Sequence, residues 1–399
     1  MGYDFTTVMN RQGMDAIAVD APPCAGTVQE GFDVIPMWIA DMNFATAPSI
    51  PKAIIARAEH PLYGYFAPRQ EYYDAIIGWQ RSRNGVEGLE PRHIGYANGV
   101  LGGVVSAANV LCSPGDSILV HSPTYVGFTH ALGEGGYNLV HSPLVRDEDG
   151  IWRMDYEDME RKLRDQKIHT AVLCSPHNPC GRVWERWELE RAMELFRKYN
   201  VYVISDEIWS DLTLEGFRHI PTQSVSEDAK QRTVAMYAPS KTFNLAGLVG
   251  SYSIIYNDWL RDRVEKEASV SHYNAMNVLS MYALIGGFSQ EGAAWLAQLR
   301  QTLTGNADFA VNYIHDHFPG VTVSRPQGTY MLFVDCTDWC RAHGKTIDDV
   351  LSACYRVGVA VQDGRQFLGN CHLRMNLALP LSRVEEAFRR MDKYVFNAG

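Results

Sequence analysis

Between about residues 90 and 255, short β-rich apolar runs take turns with amphipathic stretches, and that alternation leaves the chain few architectures. The runs are DSILVHS, NLVHSPL, HTAVLCS, VYVISDE and TVAMYA, and between them lie helix-like segments such as YEDMERKLRDQ and RWELERAMELFRKYN. Because the runs do not alternate with polar residues, they predict strands buried on both faces, hence a parallel sheet covered by helices. This is the pattern of a doubly wound α/β domain. In such sheets ligands collect beyond the carboxyl ends of the strands.

After about residue 288 the pattern changes. A long helical stretch, QEGAAWLAQLRQTLTGNADFAVNYIHDHF, leads into the short strands VTVSR and TYMLFVD. The helix TIDDVLSACYRVG, the strand HLRMNLALP and the helix SRVEEAFRRMDKYVF follow. We read residues 46–287 as a large domain, 288–399 as a smaller α+β domain, and the turn-rich residues 1–45 as an arm joining the small domain. No repeat, low-complexity tract or flexible linker separates these parts.

Composition removes several function classes. A formal charge of −10 without a basic cluster opposes nucleic-acid binding, which rests largely on Lys and Arg at phosphates. The eight cysteines are scattered and no CxxC occurs, so neither a disulfide framework nor a zinc site has its spacing. Reduced thiols in a cytoplasmic protein are expected. No apolar run approaches the roughly 18 residues of a membrane span, and the first residues lack a secretory pattern. His315 and His317 are spaced for different sides of a helix, so no metal is expected there.

Three segments carry the chemistry. Lys241, in SKTFNLAGL, closely follows TVAMY; Asp206 ends VYVIS; Asn178 sits in the turn sequence NPCG. A lone lysine is most often a solvated charge, an aspartate after a strand is often a turn cap, and NPCG forms a turn by itself. Their combination at strand ends points further. It offers an amine that can condense with an aldehyde, a carboxylate for a pyridinium nitrogen and an amide for a phenolic oxygen. Pyridoxal 5′-phosphate (PLP) needs that set, since its ring withdraws electrons only while its nitrogen stays protonated. The stretch ANGVLGGVVSAANVL, with Gly99, Gly102 and Gly103 and the backbone of Val100 and Leu101, is expected to bind phosphate at a helix start, the alternative being that its glycines are close-packing points. Ser240 can add a hydroxyl. Tyr125, in HSPTYVGF, can lie flat on the ring. Arg374, in HLRMNLALP, suits bidentate binding of an amino-acid carboxylate.

With these residues in place, the chain resembles the fold-type-I PLP enzymes of the class-I/II aminotransferase superfamily. Within them it looks most like the cystathionine β-lyase (C–S lyase) subgroup of the MalY/PatB type. The likeness runs in order through MWIADMNF, HPLYGY, SPTY, SPHNPCGR, SDEI, SKTFNLAGL, PQGTYMLF and LRMNLALP, nearly the whole chain. It implies an aspartate aminotransferase-like α/β fold and α,β-elimination from an S-substituted L-cysteine, with transamination or a regulatory binding role as alternatives. It also implies roles. Lys241 would be the covalent anchor and base, Asp206 would hold the ring nitrogen and Asn178 the ring oxygen, with Asn178 also near the substrate. Tyr125 would stack on the ring and border the substrate, Arg374 would take the substrate carboxylate, and the backbone around Ala40 would line the pocket. Tyr65 would reach the phosphate of a neighbouring subunit, making the active unit a homodimer. Three positions depart from the subgroup. Trp209 stands where a histidine often follows DEI, Val126 replaces the second tyrosine of PxYY, and the stretch before Arg374 reads GRQFLGNCH. A bulkier or more apolar pocket is the expectation.

Overall fold

The computed structural model describes residues 2–271 and 274–397. Fourteen strands are assigned in it. They are β1 Ile35–Pro36, β2 Ile94–Asn98, β3 Ser117–Ser122, β4 Asn138–Arg146, β5 Trp152–Met154, β6 Thr170–Cys174 and β7 Tyr202–Asp206, followed by β8 Thr233–Tyr237, β9 Gly250–Ile254, β10 Thr322–Val323, β11 Met331–Asp335, β12 Val359–Ala360, β13 Gln362–Asp363 and β14 His372–Asn376. Eight of them form one sheet in the order β2-β9-β8-β7-β6-β3-β4-β5. The run from β8 to β4 is parallel, whereas β9 opposes both its neighbours and β5 opposes β4. The expected α/β fold is present.

Successive residues of the central strands point to opposite faces, and both faces are covered. Leu119, Ala171, Leu173 and Val203 pack with Met159, Leu163, Leu189 and Phe196 of the helices Tyr156–Asp165 and Arg186–Lys198. Ile118, Val120, Val172 and Ile204 face the other way, onto Val104, Ala107 and Ala108 of the helix Gly99–Leu111. Two apolar coats on one strand explain why these runs lack polar alternation. NLVHSPL is the exception and corrects the reading of burial on both faces. As β4 it lies next to the edge strand, and most of its residues are partly exposed.

A second, four-stranded antiparallel sheet, β10-β11-β14-β13, lies in the C-terminal part of the chain. The helix Gln290–His317, capped by Ser289, joins the two halves. Its Trp295 and Leu299 share one core with Tyr237 and Phe243 near the large sheet and with Leu332 and Met375 of the small one. At the other end of the chain, β1 pairs in parallel with β12. Asn376 on β14 donates to the carbonyls of Ile39 (2.9 Å) and Asp41 (2.7 Å). The N-terminal segment is thereby fastened to the C-terminal sheet.

Candidate active site

Strands β2, β3, β6, β7 and β8 all point the same way, so the segments following them meet at one edge of the sheet. A cavity of about 190 Å³ opens there, lined by Ala40, Gly99, Val100, Leu101, Tyr125, Cys174, Asn178, Asp206, Trp209, Ser240 and Lys241, among others. One water occupies roughly 30 Å³ of liquid, so the space is made for something larger.

Asp206 closes β7, in register with Cys174 on one side and Met236 on the other. It is 3% exposed. Its Oδ1 accepts the Ile208 N–H at 3.1 Å, and no protein donor reaches Oδ2 among the described residues. Burial pushes its pKa up to about 7, with Glu207 adding to the shift; Ile208 and the Lys241 charge oppose it.

Beyond β8 the chain makes a single helical turn, Pro239–Thr242, that presents Lys241 to the cavity. The Thr242 hydroxyl donates to Asp211 (2.9 Å). Asn244, at φ +58°, accepts the Met42 N–H and donates to the Met42 carbonyl, both at 3.0 Å. The turn is thus fixed on both sides. Lys241 Nζ donates to the Ala40 carbonyl (3.2 Å) and lies 5.9 Å from the centre of the Trp209 ring. Burial lowers its pKa to about 8, assisted by Arg374 and resisted by Asp41 and Asp206.

Asn178 follows β6 and is buried. Its Oδ1 accepts from Arg374 Nε at 3.2 Å, so two motifs 196 residues apart meet by direct contact. Arg374 is 3% exposed, and its guanidinium lies 4.6 Å from the Phe367 ring centre. Tyr125 precedes the short turn Val126–Phe128 and packs edge-on to Phe128. Gly99 takes φ +73° to start the helix Gly99–Leu111; its own N–H donates to the Val249 carbonyl at 2.5 Å, and the N–H groups of Val100 and Leu101 that follow have no carbonyl one turn back to donate to. Ser240 stands across the same cavity.

Of the residues singled out in the sequence, Lys241, Asp206, Asn178, Tyr125, Val100, Leu101, Ser240 and Ala40 line this cavity, and Arg374 adjoins it through Asn178. Tyr65 does not reach it and is fully exposed. Gly103 corrects the phosphate reading. A Cβ there would come within 2.7 Å of Met236 Sδ, so this glycine brings helix and sheet together and does not face a ligand.

The family model for aminotransferase class I and II matches residues 33–391. The chain belongs to that family. Cystathionine beta-lyase PatB of Bacillus subtilis is 32% identical over 362 residues, 90% of this chain and 92% of that protein. Among solved structures, cystalysin from Treponema denticola, which contains a PLP cofactor, aligns with a TM-score of 0.91 at 26% identity and 99% coverage of both chains. The PLP-bound C–S lyase from Staphylococcus hominis aligns at 0.89, with 27% identity and 98% coverage of both.

In this member of the family the wall behind Lys241 is apolar. Trp209 is 2% exposed and packs edge-on against Tyr330 at 4.8 Å. Several supporting residues escaped the sequence reading: Asp211 and Asn244, which fix the lysine turn, and Gln362, which accepts from Arg374 Nη1 at 2.6 Å. Asn244 lies inside SKTFNLAGL and its motif could have flagged it. Asp211 and Gln362 act through contacts distant in sequence, and no local signal marks them.

Proposed function

We propose that the chain is a PLP-dependent carbon–sulfur β-lyase. It would cleave L-cystathionine, or a related S-substituted L-cysteine, by α,β-elimination to a thiol (homocysteine from cystathionine) and an enamine, which one water hydrolyses to pyruvate and ammonia. The observation that carries this reading is Asp206, a deeply buried carboxylate with one oxygen unfilled, in the same cavity as a lysine lowered to about 8. The donor set fits the cofactor: a cationic ring nitrogen would complete Asp206 and hold it ionised. The first turn of the helix Gly99–Leu111, with Val100, Leu101 and Ser240, fits its phosphate. The Asn178 amide N–H₂ remains to donate to its ring oxygen, and Tyr125 offers a face for the ring.

When bound, PLP supplies an electron sink for charge developing at the substrate α-carbon. Lys241 holds the cofactor through Nζ. When not bonded to the cofactor, Nζ would be the base that takes the α-proton, a role for which a pKa near 8 is well matched. Asp206 keeps a proton on the ring nitrogen. Arg374 binds the substrate carboxylate, its Nη2 having no protein acceptor among the described residues. With the carboxylate held by Arg374 and Nζ placed to take the α-proton, a thiolate on the β-carbon would be the leaving group, and no oxo-acid acceptor would be needed.

The reading extends to a homodimer in which Tyr65 of a second copy completes the phosphate site. Leu62, Tyr63, Tyr65 and Phe66 form an exposed apolar stretch in support of it, of the kind a partner covers. It also keeps the arm 1–45, large domain 46–287 and small domain 288–399, with the β1–β12 pairing supporting the arm's attachment. A cytoplasmic setting is part of it, supported by the free cysteines. Among the described residues no helix is long and apolar enough to cross a membrane. The test is to give the PLP-loaded protein L-cystathionine without any 2-oxo acid and to follow pyruvate, which we expect to accumulate. Amino transfer to an added 2-oxo acid, with no pyruvate in its absence, would replace the lyase by an aminotransferase.

A further inference from the structure

A buried guanidinium is costly unless its N–H groups are satisfied, and it usually takes a carboxylate partner. Arg374 takes none. Among the described residues its protein acceptors are Asn178 Oδ1 (3.2 Å), the Trp38 carbonyl (3.4 Å) and Gln362 Oε1 (2.6 Å), all of them neutral dipoles. Burial brings its pKa down to about 10, and Tyr125 and Tyr330 partly offset that.

The carboxylates of the adjoining segments are engaged elsewhere. Asp41 is paired with Arg11 at 2.6 Å. Asp363, next to Gln362, is paired with Arg365 at 2.7 Å. The shortest of the three contacts to Arg374 is therefore the one to Gln362. The two residues are directly opposite in the β13–β14 register, which places their side chains on one face of the sheet. The amide of Gln362 is itself oriented, since its Nε2 donates to Gln366 Oε1 at 3.0 Å. That bond turns Oε1, not Nε2, toward the guanidinium.

We infer that Gln362 is a positioning and specificity residue that aims Arg374 at the substrate's α-carboxylate while leaving its positive charge uncompensated. This deepens the lyase reading and rests on the carboxylate role given there to Arg374. A glutamate at 362 would have the same shape and would meet the same nitrogen. It would also bring the negative charge that the bound substrate is meant to supply. An asparagine keeps the amide but falls short by one carbon.

The test uses the PLP-loaded full chain and two readouts. The first is steady-state elimination from L-cystathionine. The second is a spectral titration of the bound cofactor with glycine, which carries the α-carboxylate and amine but has no β-leaving group. For Gln362→Glu we expect KM for cystathionine and the apparent Kd for glycine each to rise about tenfold or more, with kcat changed by less than about threefold, since a like charge at a carboxylate subsite acts on binding. Gln362→Ala should weaken glycine binding severalfold, and Gln362→Asn should fall between Gln362→Ala and the parent. Equal glycine affinities in the parent and Gln362→Glu, with both proteins showing the same circular dichroism and melting temperature, would overturn the inference. So would a drop in kcat with KM unchanged. If the parent releases no pyruvate but its glycine affinity still falls in Gln362→Glu, the lyase reading fails and the inference about Gln362 stands.

Discussion

Asp206 and Glu207 are consecutive, both buried, both acidic, and they stand in opposite electrostatic conditions. Glu207 is completed by the protein: it meets His219 at 2.7 Å, Tyr237 Oη at 2.5 Å, the Ser205 hydroxyl at 2.9 Å and the Thr222 N–H at 3.0 Å. Burial raises its pKa, but the His219 imidazole and these donors outweigh burial and leave it below the ordinary glutamate value. Asp206 has a single backbone donor and is held near 7. The difference separates a carboxylate whose oxygens are filled by the protein from one that has a single backbone donor among the described residues. Burial alone does not distinguish them, and their acceptor sites do.

The comparison can be broken by exchanging its terms. Asp206→Asn should lower kcat for elimination by about three orders of magnitude, roughly 4 kcal/mol of barrier, while the cofactor-free protein melts no lower than the parent. An Asp206→Asn enzyme with parental kcat would place the functional carboxylate elsewhere. Glu207→Gln should do the converse and cost about 3 kcal/mol in denaturant unfolding, the range for breaking a buried paired charge, with kcat per folded molecule nearly unchanged.

Acidity supplies a third, smaller contrast. In the cofactor-free protein Asp206 is protonated in both folded and unfolded states below about pH 4. As pH rises toward 7 the unfolded chain ionises it and the folded one does not, so stability falls through that window. Glu207 works in the other direction and loses its contribution as pH drops. We expect the parent to lose roughly 2 kcal/mol relative to Asp206→Asn between pH 4 and 7, a value below the full shift because buried charges relax. Parallel stability–pH curves would refute the assignment. The smallest effect is expected of Gly103→Ala, about 1 kcal/mol from pressing on Met236, with cofactor affinity unaltered. A large loss of affinity would return Gly103 to the phosphate site.

What the sequence made legible follows from how local each determinant is. Lys241, Asp206 and Asn178 are announced by strand ends and turn residues within a few positions, and each lines the cavity. The character of Glu207 is not readable there, because it depends on His219 and Tyr237, 12 and 30 residues away. Gln362 is hidden for the same reason: its role arises from the register of two short strands. NLVHSPL has the apolar content of a central strand, whereas its position beside β5 is decided by the topology. Gly103 looked like part of an anion cradle because a close-packing glycine and a ligand-facing one are the same letter.

The hydrogen bonds from Asn376 to Ile39 and Asp41 span 337 and 335 positions, and the Lys241 turn is held by Met42. Chains emerge from the ribosome amino end first. The segment around Met42 and the lysine turn are therefore synthesised well before β14, whose Asn376 fastens them to the small sheet. Completion of the cleft accordingly waits for β14, and Asn376→Ala would remove its two bonds to the leading segment while leaving the β1–β12 pairing in place.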